Sequence, residues 1–116
     1  MDGGWIDLKK RLPRKADGVV LVWHVFQGVM IARWDDAPDN CFFSHWRPMP
    51  VSGWVEARER WPTAQDGDAE NCVLTRHMYD GYRVTGWHQF AWDPYFTHWM
   101  RTPAGPEGFE ALRDRL

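Results

Sequence analysis

Two stretches of this chain decide its fold. The first is G-V-V-L-V-W-H-V-F-Q-G-V-M-I-A-R-W, Gly18 to Trp34, and the second is N-C-V-L-T-R-H-M-Y-D-G-Y-R-V-T-G-W, Asn71 to Trp87. They align at a constant offset of 53, with identities at Val20/Val73, Leu21/Leu74, His24/His77, Gly28/Gly81 and Trp34/Trp87. Each is a β-rich run, a turn with Gly, and a second β-rich run, which is the signature of a hairpin. Asp80-Gly81 is a strong two-residue turn signal, because glycine accepts positive φ.

The match extends in both directions. Upstream, G-W-I-D-L-K-K-R-L-P (Gly4–Pro13) pairs with G-W-V-E-A-R-E-R-W-P (Gly53–Pro62) at an offset of 49. A four-residue insertion in the second stretch reconciles the two offsets. Downstream, Phe43/Phe96, His45/His98, Trp46/Trp99 and Pro50/Pro103 continue the series. The whole chain therefore reads as a tandem duplication. Six of its nine tryptophans are matched, as Trp5/Trp54, Trp34/Trp87 and Trp46/Trp99. A residue kept in both halves serves what both halves need, and folding is the simplest such need. Trp23, Trp61 and Trp92 stand opposite Arg76, Leu12 and Asp39, so they are free to do something else.

A two-residue loop at Gln27-Gly28 sets Leu21 opposite Trp34 and His24 opposite Ile31. The second half follows with Leu74 opposite Trp87 and His77 opposite Val84. Alternation then puts Val20, Val22, His24, Phe26, Val29 and Ile31 on the core side. Their counterparts are Val73, Thr75, His77, Tyr79, Tyr82 and Val84. The other face carries Leu21, Trp23, Val25, Met30 and Ala32 in one half, but Leu74, Arg76, Met78, Arg83 and Thr85 in the other. Phe42–Trp46 and Tyr95–Trp99 read as third strands. The expected fold is mainly β, two pseudo-symmetric hairpin or meander units over residues 1–51 and 52–104, packed together. A short C-terminal helix follows over 105–116, with Phe109 and Leu112 on one face.

Composition narrows the function. The chain has 116 residues, 44% of them hydrophobic and 16% aromatic, with a formal net charge of −2. That is enough apolar surface for a core, and too little basic charge for a general nucleic-acid binder. Cys41 and Cys72 form neither a disulfide framework nor a zinc quartet, which points to free thiols in a reducing compartment. No apolar run is long enough to span a membrane, so a cytoplasmic protein is expected.

No nucleophile elbow, phosphate-cradling loop or H-E-x-x-H stretch occurs, and an enzyme is not expected. His24, His45, His77 and His98 could supply four imidazoles to zinc, but no thiolate or carboxylate stands at ligand spacing. Buried histidines bonded to the backbone are the preferred reading, with neither metal nor cofactor. Asp35, Asp36, Asp39 and the insertion around Asp66-Gly67-Asp68-Ala69-Glu70 read as solvated acidic turns and not as cation ligands. What is left is the asymmetry between the halves. Trp23, Val25, Met30, Trp61, Arg76, Arg83 and Trp92 are the candidate partner-binding residues, since exposed Trp, Met and Arg are typical of interfaces. Trp23 packed inside the fold is the alternative.

The motifs also resemble a small phage and prophage family known only as a domain of unknown function, with the pattern W-I-x-V-x-x-x-L-P, V-L-V, T-H-W-M-P-L-P. Trp5-Ile6, Leu12-Pro13, Val20-Leu21-Val22 and Ser44-His45-Trp46-Arg47-Pro48-Met49-Pro50 follow it, and so do Trp54-Val55, Val73-Leu74 and Thr97-His98-Trp99-Met100. The resemblance implies origin on a mobile element, but no activity. The function expected is binding and blocking of a host protein, such as a CRISPR or restriction component. The alternatives are stacking of single-stranded nucleic acid on Trp and Tyr with Arg, and a Trp-lined small-ligand pocket.

Overall fold

The structure is a computed structural model that describes residues 4–106. It is mainly β, with two four-stranded antiparallel sheets and short 3-10 turns. The first sheet contains β1 (Ile6–Asp7), β2 (Val19–His24), β3 (Gly28–Arg33) and β4 (Phe43–Pro48) in the order β1-β4-β2-β3. The second contains β5 (Val55–Glu56), β6 (Cys72–His77), β7 (Gly81–Gly86) and β8 (Phe96–Met100) in the order β5-β8-β6-β7. The third strands form as expected, and the G-W-I/V segments open each sheet as a short extended edge. The C-terminal helix was expected beyond Pro106, outside the described residues.

The hairpin register differs from the expected one by three residues. Leu21 pairs with Ile31, not Trp34, and Leu74 pairs with Val84, not Trp87. The cause is a side chain. The Nδ1 atom of His24 accepts the amides of Phe26 and Gln27, both at 3.1 Å. That bond folds Val25–Gln27 into a three-residue loop, which ends at Gly28 with φ of 83°. His77 does the same, accepting the amides of Tyr79 and Asp80 at 3.2 and 3.1 Å.

An odd shift moves β3 and β7 side chains to the opposite face. Val20 and Val22 do face the first core, but with Met30, Ala32 and Trp46 and not with Val29 and Ile31. Trp23 shares its face with Val29 and not with Met30. In the second unit Val73 packs with Phe90, Phe96 and Trp99. Tyr82 and Val84 lie on the other face, while Phe26 and Tyr79 are exposed.

Each core is closed by a matched tryptophan. The indole N–H of Trp46 donates to the Arg11 carbonyl at 2.9 Å, and that of Trp99 to the Arg60 carbonyl at 2.8 Å. The same arginines lie over the same rings, at 5.3 and 4.7 Å from the centroids. Trp5, Trp46 and Trp99 are buried, and Trp34, Trp54 and Trp87 are half-buried. The first unit comprises the chain to Met49 and resumes at Pro103; the second is Pro50–Thr102. The returning segment covers the Trp23 face. The Trp5 indole donates to the Ala104 carbonyl at 2.7 Å, and the Trp5 and Trp23 rings meet edge-on at 6.0 Å.

Candidate protein-binding cleft

A cleft of about 430 Å³ opens on the second unit. Its floor is Ala57, Phe90 and Phe96, and its walls carry Glu56, Arg58, Trp61, Asp93, Pro94, Thr97 and His98. The rings of Phe90 and Phe96 stack 4.7 Å apart, which makes the base rigid. The first unit differs here in volume: Leu8, packed against the core, stands where the second has Ala57. Phe90 in turn stands where the first unit has Ala37, so the second unit exchanges a leucine and an alanine for an alanine and a phenylalanine, and that exchange builds the cleft floor.

Trp61 forms one wall. The chain is held on either side of it, by the Arg60 carbonyl bonded to Trp99 and by buried Pro62. Trp61 itself is 55% exposed. The polar wall is internally satisfied. Arg58 bonds Glu56 at 3.2 and 3.3 Å. Asp93 accepts the Tyr95 amide at 2.9 Å through one oxygen and meets His77 Nε2 at 2.9 Å through the other. The Tyr95 amide, joined by the His77 bond, holds the Asp93 carboxyl below its ordinary range despite partial desolvation. Since Nδ1 of His77 accepts two amides, the ring proton sits on Nε2 and is donated to Asp93.

On the cleft wall, Thr97 Oγ1 is 2.9 Å from Nδ1 of His98. A hydroxyl next to an imidazole suggests a nucleophile, but Thr97 donates its proton to the Arg76 carbonyl at 3.1 Å. His98 must then be the donor to Thr97, so it does not activate the hydroxyl as a base. The geometry suits apolar docking.

The other candidate residues scatter. Trp23 is buried at 8% exposure, so it offers no surface, and the packed alternative holds. Its indole N–H meets no acceptor among the described residues. Val25 is half-buried with its amide on the Phe42 carbonyl, and Met30 packs into the first core. Neither forms a patch with Trp23. Arg76 is exposed and lies over Tyr82 at 5.7 Å, on the opposite face of the hairpin from Arg83. Arg83 pairs with Asp80 at 3.3 Å. Trp92 is 81% exposed, in the turn between Phe90 and Asp93 of the cleft. Of the set, Trp61 lines the cleft and Trp92 sits in the turn that forms its wall.

The solvated-turn expectation fails at Asp66, which is buried. It accepts from the Thr63 amide and hydroxyl, Arg60 and Arg101. Burial raises its carboxyl, but those donors outweigh burial and bring it down to about 2. Among the described residues no cluster of His, Cys, Asp and Glu could hold a metal, and no helix is long and apolar enough to cross a membrane.

Sequence reasoning missed one feature. At each hairpin tip an exposed aromatic pair leans over the buried histidine: Phe26–Phe42 at 5.3 Å, and Tyr79–Tyr95 at 5.0 Å. The signal was available, since both pairs occupy matched positions. No family model, no curated protein and no solved structure matches the chain.

Proposed function

We propose that the protein is a non-enzymatic binding protein that docks on another protein through the Trp61 cleft of its second unit and blocks it. One observation carries this reading. Trp61 stands half in solvent on the wall of an apolar-floored cleft, its backbone fixed on either side by the Arg60 carbonyl bond and buried Pro62. Burying such a side chain is worth about 2 to 4 kcal/mol at an interface centre. Trp92 extends the same surface. The rim charges Glu56 and Arg58 satisfy one another, so the fitting partner presents an apolar side chain to the floor.

The resemblance to a phage family supports a mobile-element origin, and the matching topology of the two sheets supports duplication. A host defence component, a CRISPR or restriction nuclease, is the target class we infer. The test is a panel of purified defence nucleases titrated with the protein. Inhibition that saturates at equimolar protein and is lost in Trp61→Ala supports the reading. No inhibition across the panel, or equal inhibition by Trp61→Ala, overturns it. Retention of single-stranded DNA at low salt, abolished by salt, would favour base stacking instead.

A further inference from the structure

The second sheet ends in a six-residue edge strand, β7. The Trp87 amide donates to the Asn71 carbonyl at 3.0 Å, which makes Asn71 and Trp87 a bonded pair of the β6–β7 ladder. Bonded and non-bonded pairs alternate along an antiparallel ladder. Val73–Thr85 and Thr75–Arg83 are therefore bonded pairs, and Leu74–Val84 and Arg76–Tyr82 are not. Tyr82, Val84 and Gly86 consequently turn their N–H and C=O groups away from β6. β7 ends its sheet, and among the described residues no strand meets that row; the Gly86 carbonyl also caps the 3-10 turn over Trp87–Ala91 and keeps a second lone pair for a partner.

Natural sheets protect such edges with proline, lysine, bulges or covering segments. β7 has neither proline nor lysine, and its pairing with β6 is unbroken. Its one charge, Arg83, is engaged by Asp80 and lies over Phe96 at 5.9 Å. The corresponding edge β3 is less available, since Gly28 and Val29 are buried.

We propose that β7 pairs antiparallel with β7 of a second copy of this chain, joining the two second-unit sheets into one. Its register is self-complementary. With Val84 on the twofold axis, Tyr82 faces Gly86 of the other copy, and all three outward residues exchange both backbone groups. Arg83 then faces Thr85. The neighbouring register, centred on Arg83, sets two guanidinium groups directly opposite one another and uses fewer outward groups. Like charges across a ladder are destabilising, so the Val84-centred register wins. In it Tyr82 meets a glycine that offers no side chain, with the exposed His88 ring beside it.

The test is sedimentation of the full chain from about 1 μM to about 1 mM, the range for a small interface. The wild type should rise from 13.7 kDa toward twice that mass. Val84→Pro removes an outward amide and leaves the β6 ladder intact. Val84→Lys places two like charges at the axis. Each should weaken dimerisation about tenfold or more. Hydrogen exchange on the wild type gives a readout that needs no variant: the amides of Tyr82, Val84 and Gly86 should become protected only where the dimer forms. A chain that stays monomeric at about 1 mM overturns the proposal. So does a dimer in which those amides exchange freely, or their protection in the dilute monomer.

Discussion

Asp66 and Arg101 lie 35 residues apart in the chain and meet at 3.2 Å through two guanidinium nitrogens, tying the 3-10 turn before β6 to the end of β8. Arg60 closes on the same carboxylate from the other side, also at 3.2 Å. The carboxylate is buried, so this is a structural clamp and not a surface ion pair.

The clamp predicts an acid limb in stability. The folded pKa of Asp66 is about 2 against an ordinary 3.8. A depressed carboxyl stabilises the fold fully above the unfolded value, and the contribution is lost as pH falls through the folded one. The shift corresponds to about 2 kcal/mol. Asp66→Asn should lose about that much in denaturant melts at pH 7, and its gap from wild type should close toward pH 2. A gap independent of pH would contradict the assignment.

Trp46 and Trp99 predict equal sensitivity in the two units. Replacing either by Phe keeps most of the apolar ring and removes the N–H that satisfies a carbonyl. Each substitution should cost about 1 to 3 kcal/mol by chemical denaturation. A large difference between the two would mean that one unit does not depend on its tryptophan bond.

The unmatched tryptophans should separate by role. Trp23→Ala empties a buried site and should cost about 3 to 5 kcal/mol. Trp61→Ala and Trp92→Ala, at exposed positions, should stay within about 0.5 kcal/mol of wild type. Thermal melts of the three variants check this, and strong destabilisation by Trp61→Ala would make it a folding residue.

Gly105 predicts a steric effect. A methyl group there would lie 2.6 Å from the Trp23 ring. Gly105→Ala should therefore displace the segment over Trp23 and cost about 1 to 3 kcal/mol, with a change in tryptophan fluorescence. An unchanged spectrum and stability would show that the segment gives way freely.

Strand content, the third strands and the burial of Trp5, Trp46 and Trp99 were legible in the sequence, because period-two patterning and matched residues report directly on packing. The register was not. It depends on His24 and His77 capturing loop amides, a choice between side-chain and backbone acceptors that no spacing reveals. Trp61 was legible as an asymmetry, and its cleft was not, since that depends on how Ala57 and Phe90 repack the place that Leu8 and Ala37 fill in the other unit. Trp23 misled for a related reason: its cover comes from residues 103–106, far away in the chain.

That cover imposes an order on synthesis. The second unit is one unbroken length of chain, complete once Thr102 has left the ribosome. The first is split, and its Trp23 face stays bare until Gly105 emerges. The half made first is therefore the half finished last, and in the interval its exposed indoles are what a nascent-chain chaperone would meet.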